Sequence, residues 1–310
     1  MLHAIYKLKF STATRFGSDD GGGNLTGASM TFRADVLFSA LFRALLPLGE
    51  DGELLRFVRD GSLAFSDALP WRGGTLFLPR PVGIFAKPDE RTSGDPSQRK
   101  LLKKIAYIPA DGLAQFMAGQ ADLRELYEMN HFGSAFEETR VNLRDGDQPM
   151  PYQVGGFRFS DDSGLYLVAR GEQSALTLFE AGLRCLSAEG IGGEISSGWG
   201  KFTFESTSVP ADWVRALEDE NAARYMTLST ALPSEDEMTL ALEGAYYTVV
   251  RRGGFVSSVQ TQPFKKQTVF LLGAGSTFRH RFHGTVLDVG IEMPHPVWRY
   301  AVPLFMGVNA

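Results

Sequence analysis

The sequence predicts an α+β protein of two ferredoxin-like (split βαβ, RRM-like) modules, the first of which carries a long insertion. Three observations lead to this prediction. They are an N-terminal stretch that alternates apolar and polar residues, two later stretches with apolar residues at helical spacing, and paired strand-like runs around turn residues. We expect the first module to span residues 1–224, with the insertion at about 87–144, and a degenerate second module to span residues 225–310.

The elements of the first module follow from the period of their apolar residues. Residues 4–10 alternate and predict a strand, whereas residues 31–46 repeat apolar side chains at helical spacing and predict a helix. A hairpin is predicted over residues 152–168, a second helix over 176–186 and a closing strand over 201–204. Strand, helix, hairpin, helix and strand, in that order, make a split βαβ module.

The insertion and the tail differ from this pattern. Residues 87–144 interrupt the strands with prolines, a basic run and a predicted short helix over 113–126. The tail has one weak helical stretch, near residues 236–242, and is otherwise rich in strands. Strands are expected near residues 225–229, 246–251, 268–272, 285–291 and 299–308.

Composition excludes some classes of protein. The net charge of -5 argues against unspecific coating of nucleic acid, so any such binding must come from a few placed groups. The single cysteine, Cys185, cannot form an internal disulfide, which favours a reducing, cytoplasmic location. No apolar run approaches the roughly 18 residues that a bilayer requires, so we expect no membrane contact. No motif predicts a cofactor or a metal site.

The strongest motif is the loop at residues 190–200, which holds five glycines among its eleven residues. Glycines let successive amides face outward and form an anion-binding concavity. A nucleotide-triphosphate loop does not fit, since Trp199 stands where that motif needs lysine. A dinucleotide fingerprint does not fit either, because this loop follows a helix. The candidate phosphate-binding residues of this loop are Gly192, Gly193, Ser196, Ser197, Gly198, Trp199, Gly200 and Lys201.

Two readings of this loop stay open. A turn without a ligand would have the same composition, and Trp199 would serve equally well to stack on a base or to anchor the loop in the core.

Further candidates for RNA contact come from three places. Lys100, Lys103 and Lys104 belong to the basic run 99–104, although a solvated basic face is the commoner explanation of such a run. Thr31 and Arg33 lie where the first helix should begin, Thr31 as a possible cap, and free helix amides there favour an anion. The polar loop that closes the insertion adds Arg140 and Asn142.

Catalysis has one candidate residue. None of the five histidines has the spacing of a zinc hydrolase, but His131, beside Asn130, could serve as a general acid or base in RNA cleavage. Since no partner group is identifiable, we predict no catalytic residue and keep an endoribonuclease as the alternative.

Several segments together resemble a known family. These segments are residues 35–41, 103–109 and 190–202, with 253–256, 265–266, 275–278 and 295–300 in the tail. They resemble the RAMP superfamily and, more narrowly, the Csm-type subunit of type III-A CRISPR effector complexes. The likeness covers nearly the whole chain, and the Gly-rich loop is common to all RAMP proteins.

The resemblance implies a non-catalytic subunit that holds the 5′ tag of the guide RNA (crRNA). It also implies two protein partners, the large polymerase-like subunit and the backbone RAMP subunit of the same complex. RNA contacts are implied from the glycines and serines of residues 192–200, from Lys201, and from Lys100, Lys103 and Lys104. The resemblance also implies that the insertion corresponds to a thumb-like element that presses on the guide, and that residues 17–24 are another RNA-side candidate.

Two alternatives remain. One is a RAMP endoribonuclease that processes the precursor crRNA with His131. The other is a protein scaffold without nucleic-acid contact, which the acidic net charge favours.

Overall fold

The computed structural model describes residues 1–17, 25–83, 96–142, 149–256 and 264–308. Its helices are α1 (Ala34–Leu45), α2 (Asp51–Arg59), α3 (Pro96–Lys104), α4 (Leu113–Met117), α5 (Leu123–Met129), α6 (Gln173–Glu189), α7 (Ala211–Glu218) and α8 (Met238–Leu242), with 3₁₀ turns at Leu46–Leu48, Ala110–Gly112 and Ile195–Ser197. Its strands are β1 (Leu2–Phe10), β2 (Leu63–Phe65), β3 (Leu69–Arg72), β4 (Thr75–Pro79), β5 (Tyr107–Pro109), β6 (Gly133–Asn142), β7 (Met150–Phe159), β8 (Ser163–Gly171), β9 (Phe202–Ser208), β10 (Arg224–Thr227), β11 (Val249–Arg252), β12 (Val269–Leu272), β13 (Thr277–Phe278), β14 (Thr285–Asp288), β15 (Trp298–Ala301) and β16 (Phe305–Val308). This mixture confirms the predicted α+β class.

The main sheet runs in the order β5-β4-β3-β8-β1-β9, with β2 also paired to β8. The first strand therefore lies inside the sheet, antiparallel to both β8 and β9. Its register places Ile5 opposite Val168 on one side and Thr207 on the other. The burial of Tyr6 and Leu8, which are two residues apart and so face the same side of the sheet, explains why the alternating N-terminal pattern predicted a strand correctly.

Helices α1 and α6 pack against each other on this sheet. Leu37, Leu41 and Leu45 recur every four residues and are fully buried, so α1 turns one apolar stripe toward the core. The helices approach closely at Gly182, where an added Cβ would lie 2.7 Å from Leu41 Cδ2. Both helices were predicted, although α1 begins at Ala34 rather than at Thr31.

The predicted hairpin over residues 152–168 is wrong in its pairing. Strand β7 pairs along its whole length with β6, from Gly133 opposite Phe159 to Asn142 opposite Met150. Strand β8 pairs with β1, β2 and β3 instead. The cause is burial: β8 is buried along most of its length, as an inner strand requires, whereas β7 is exposed over its first four residues.

The predicted insertion carries α3, β5, α4, α5 and β6, while residues 84–95 and 143–148 lie outside the described part of the chain. Strand β5 joins the edge of the main sheet, where Leu78 of β4 lies opposite Ile108. The other arm of the insertion, β6, forms a two-stranded ribbon with β7. The insertion is therefore anchored to the sheet at one end and extended at the other.

The tail is built mainly from strands, as predicted. A three-stranded sheet has the order β13-β10-β16, and two ribbons pair β11 with β12 and β14 with β15. Among the described residues after 224, α8 is the one α-helix and has five residues. The degenerate second module and its boundary near residue 225 stay predictions. None of the described helices is long and apolar enough to cross a membrane.

The tail shares a core with the first module. Tyr300 of β15 is fully buried, and its ring stacks on Phe65 of β2 with 4.3 Å between centroids. The Phe65 amide donates to the Tyr300 hydroxyl over 3.0 Å. Apolar packing and a hydrogen bond therefore join the tail to the first module at the same point.

A buried carboxylate, Asp67, makes a second junction. Its Oδ1 accepts hydrogen bonds from the amide of Ala34 (2.8 Å) and from the amide and hydroxyl of Thr230 (2.9 and 3.2 Å), and its Oδ2 accepts one from Arg33 (3.2 Å). Asp67 thus holds the first amide of α1 to the tail. The prediction that Thr31 caps α1 is wrong, because Asp67 does this from a distant loop.

We expect Asp67→Ala to lower the free energy of unfolding by about 3 kcal/mol or more, because buried amides at Ala34 and Thr230 lose their acceptor. Asp67→Asn keeps one acceptor oxygen and should cost less. Denaturant unfolding of both variants checks this, and equal losses would contradict the hydrogen-bond explanation.

Candidate nucleic-acid interface

A groove of about 790 Å³ lies where the Gly-rich loop, the start of α1 and the tail meet. Five basic residues line it, against one carboxylate, Asp51. In a chain of net charge -5 this is a local reversal of sign, which suits an anionic ligand. The basic residues are Arg15, Arg33, Arg43, Arg252 and Lys266.

The Gly-rich loop reaches the groove through Ile191, Gly192 and Gly193. Its two ends are buried, but Gly192 and the stretch around Ser196 are exposed, so a ligand can approach the middle of the loop. Gly192 has a φ of +106°, and an added Cβ would lie 2.6 Å from the Arg15 carbonyl oxygen. This glycine is required both by its backbone conformation and by the close approach of the strand-end segment.

Most loop amides already have acceptors within the protein. Gly193 donates to the Arg15 carbonyl and Gly200 to the Ala13 carbonyl, both over 2.8 Å, and these bonds hold the loop to the segment after β1. The amides with carbonyl acceptors are those of Gly190, Ile191, Gly193, Ser197, Gly198, Trp199 and Gly200. Within the described chain, no acceptor is recorded for the amides of Gly192, Glu194, Ile195 and Ser196. The predicted amide cradle is therefore narrower than the loop.

Trp199 and Arg140 form a clamp on the loop. Trp199 is 8% exposed and packs against Phe136, and the Arg140 guanidinium lies 4.8 Å from the centre of its ring. This geometry favours the core anchor over the base-stacking alternative. Arg140 also pairs with Glu138 and Glu194 and donates to the Ser197 hydroxyl over 2.9 Å. Its charge is thus balanced by two carboxylates, and its evident effect is to fix the β6–β7 ribbon over the loop.

At the start of α1, the structure brings Thr31 and Arg33 to the groove wall. The Thr31 hydroxyl lies 3.1 Å from the Tyr107 hydroxyl, and Arg33 pairs with Asp67 over 3.2 Å. The helix-terminus anion site predicted here is already filled, because Asp67 accepts from the first helix amide. Arg33 still presents a cation to the groove.

The remaining predicted residues lie apart from the groove lining. Lys100, Lys103 and Lys104 are exposed on α3, where the Lys104 ammonium lies 5.5 Å from the centre of the Tyr127 ring. Lys201 is exposed at the start of β9, and its amide donates to the Thr12 hydroxyl over 3.1 Å. Asn142 ends β6, and the early loop 18–24 lies outside the described residues, although Gly17 reaches the groove.

Sequence reasoning missed four groove cations: Arg15, Arg43, Arg252 and Lys266. Arg43 could have been found, since it follows Val36 and Ser39 along one face of α1 at helical spacing. Arg252 and Lys266 come from the tail, and no local pattern relates them to the Gly-rich loop, which lies more than 50 residues earlier in the chain.

His131 does not line the groove. Its ring is exposed, lies edge-on to Tyr127 at 5.6 Å, and has Nδ1 3.1 Å from the Glu128 carbonyl oxygen. Among the described residues, no carboxylate or second base is recorded as a partner of this ring.

The known proteins that resemble this chain share one family name. Residues 220–308 match a family model described as the CRISPR Csm4 C-terminal domain. The chain is 37% identical over 295 residues to the CRISPR system Cms protein Csm4 of Mycobacterium tuberculosis, covering 93% of each chain. It is 31% identical over 311 residues to the protein of that name from Streptococcus thermophilus, covering 98% of each.

The chain belongs to the Csm4 family. The predicted resemblance to a Csm-type subunit of a CRISPR system is thereby confirmed. Csm4 relatives of known structure share the fold at low identity. The chain aligns over 100% of both chains with a structure of a Csm3-Csm4 subcomplex in the type III-A CRISPR-Cas interference complex, with a TM-score of 0.69 at 18% identity. It aligns over 99% of its length and 98% of the other chain with a Csm1-Csm4 cassette in complex with cA4, with a TM-score of 0.62 at 20% identity.

The glycines of the Csm4 loop are not equivalent, and this can be tested. At Gly200 (φ +75°) an added Cβ would lie 2.2 Å from the Ile191 carbonyl oxygen, whereas at Gly198 (φ +84°) it would meet nothing within 4 Å. We expect Gly198→Ala to cost about 1 to 2 kcal/mol of stability for its left-handed backbone. Gly200→Ala should cost about 3 kcal/mol or more, because a backbone clash is added. Denaturant unfolding measures both, and equal costs would contradict this packing of the loop.

Proposed function

We propose that this Csm4-family chain is a non-catalytic crRNA-binding subunit that holds the 5′ tag of the guide RNA. In the same proposal it joins the large polymerase-like subunit to the backbone RAMP subunits of a type III-A complex. The observation that carries the proposal is the groove: five basic residues beside an accessible Gly-rich loop, in a chain that is acidic overall.

The kind of ligand follows from the chemistry of the groove walls. The Gly192 amide, for which no acceptor is recorded in the described chain, belongs to a residue that lines the groove, and arginine and lysine residues line the same groove. Amides and cations together suit phosphate oxygens, which a single-stranded RNA presents at regular intervals. The buried Trp199 leaves the described loop without an exposed aromatic stacking platform, so phosphate contacts should dominate over base stacking.

We infer that the first module is ferredoxin-like. Its core strands follow the order β1, β2 with β3, β8 and β9, and α1 and α6 connect them at the two positions where a split βαβ module has helices. The central place of β1 between β8 and β9 supports this inference.

The β6–β7 ribbon supports the thumb-like role for the insertion. Each of its strands has ten residues, a length of about 33 Å. The ribbon lies against the Gly-rich loop through Arg140, and the Gly155 amide donates to the Leu25 carbonyl over 2.8 Å. A ribbon held at this place can press on RNA that enters beside the loop.

For the partners, the support comes from relatives and from one surface. Relatives of similar fold occur in structures with Csm3 or with Csm1, and we propose the equivalent two partners for this chain. The β11–β12 ribbon exposes Val249 (56%) and Phe270 (59%), and Tyr247 nearby is 44% exposed. Clustered exposed apolar residues of this kind are typical of protein contacts.

Charge reversal in the groove tests the RNA-binding proposal. Arg43 is exposed on the groove face of α1, so we expect Arg43→Glu to weaken binding of a tag-containing RNA by at least about tenfold. The salt dependence should fall by about 0.7 in slope for each RNA phosphate that the variant no longer neutralises. Titration of labelled RNA at several salt concentrations measures both effects.

Arg215→Glu on α7 is the matched control, since Arg215 is also exposed and lies outside the groove lining. Equal losses of affinity in both variants would mean unspecific charge attraction. The double variant Lys103→Glu/Lys104→Glu tests the proposed contact from α3 in the same assay. If the wild type recovers both partner subunits but binds no RNA, the chain is a scaffold.

The endoribonuclease alternative makes a different prediction. Because His131 has no recorded acid or base partner in the described structure, we expect no metal-independent cleavage of repeat RNA and no change in His131→Ala. Gel analysis of purified protein with repeat RNA in chelator decides this. Clean cleavage that His131→Ala abolishes would establish the enzyme.

A further inference from the structure

On the tail side of the groove, positive charges outnumber the negative charges that could balance them. Asp35 of α1 is 2% exposed and accepts two hydrogen bonds of 3.0 Å from Arg252 and one from Arg299. Lys266 is the third cation near this carboxylate. One carboxylate among three cations leaves an excess of two positive charges in a partly buried place, where water screens them poorly.

The two arginines and the lysine of this cluster differ in their partners. Arg252 uses Nε and a terminal nitrogen on Asp35, while Arg299 contacts Asp35 and donates to the Gly253 carbonyl over 3.2 Å. Both guanidinium groups are therefore committed to the junction between α1 and the tail. Within the described residues, no ion pair or side-chain hydrogen bond is recorded for Lys266, which lines the groove with Arg252.

The environment of Lys266 disfavours its own charge. Burial lowers the pKa of Lys266, and the neighbouring Arg299 and Arg252 lower it further, with Asp35 offsetting part of this effect. An anion placed at its ammonium would reverse that balance.

The backbone fixes where Lys266 points. Its amide donates to the Gly254 carbonyl over 2.9 Å, and Lys265 forms a bridge with Phe255. Successive side chains of an extended segment face opposite sides, so Lys265 is exposed while Lys266 is half-buried against the groove. The two adjacent lysines thus differ in environment but not in chemistry.

We propose that Lys266, backed by Arg252, binds one backbone phosphate of the RNA in the groove, so that the tail holds the guide directly. This inference rests on the proposed RNA-binding function and adds to it a contact from the tail, which does not carry the Gly-rich loop. The geometry that supports it is a shared groove: Gly192, whose amide has no recorded acceptor in the described chain, and Lys266 both line it.

The test compares Lys266→Met with Lys265→Met in the full chain, using single-stranded RNA that carries the repeat-derived tag. We expect Lys266→Met to weaken binding about tenfold and to lower the salt slope by about 0.7, the value for one phosphate contact on a single strand. Lys265→Met should bind as the wild type does. Lys266→Arg keeps the charge and should bind within about threefold of the wild type.

A second arm locates the phosphate. RNAs with a neutral methylphosphonate at one linkage at a time are titrated against wild type and Lys266→Met. We expect one linkage to weaken the wild type and to cause no additional weakening in Lys266→Met, as a double-mutant cycle requires for a direct pair. Lys266→Met should unfold at a temperature no lower than the wild type, since it removes an unbalanced cation.

The outcomes separate the two proposals. If the wild type binds the RNA and Lys266→Met binds equally well at every salt concentration, the Lys266 contact is refuted and the RNA-binding function stands. If every neutral linkage acts additively with Lys266→Met, a direct contact is likewise refuted. If the wild type binds no tag RNA, the proposed function fails and this inference fails with it.

Discussion

Two buried carboxylates that lie near the start of α1 join the tail to the first module. Asp67 ties the first helix amide to Thr230 of the tail, and Asp35 ties the same helix to Arg252 and Arg299. Leaving any of these cations or amides without its carboxylate costs several kcal/mol, because the groups lie away from water. The groove exists because these contacts fix the tail beside the Gly-rich loop, so the relative position of its walls depends on the same interactions as the fold.

The Gly-rich loop illustrates how glycine serves packing and function together. Its left-handed residues let the loop close tightly on the segment after β1, and most of its amides are consumed by that closure. What remains for a ligand is a short stretch around residues 192–196, held in place by Arg140 and Trp199. A loop fixed in this way has little conformational entropy left to lose on binding a ligand, which favours the affinity that the proposed RNA contact requires.

Charge is distributed in a way that suits a subunit of an RNA-containing assembly. The chain as a whole is acidic, which argues against unspecific coating of nucleic acid, yet the groove concentrates cations from α1, from the segment after β1 and from the tail. Arg33 and Arg252 are oriented by their buried carboxylates, whereas no partner is recorded for Arg43 or Lys266 within the described structure. Oriented and uncommitted cations side by side give both position and attraction for a phosphate chain.

The sequence by itself determined the class of the fold, most of the elements and the Gly-rich loop, because these depend on local periodicity and on glycine's backbone freedom. It located α1, α6 and four strands of the tail (β10, β11, β12 and β14) to within a few residues, but it missed β13 and merged β15 and β16 into one strand. Only the tertiary structure decided that β7 pairs with β6, that Asp67 rather than Thr31 caps α1, and that Trp199 is an anchor. Only the tertiary structure places Arg252 and Lys266 in the groove that the Gly-rich loop also lines. The reason is physical: such contacts join residues far apart in the chain, and burial of the shared core selects them, not the preferences of neighbouring residues.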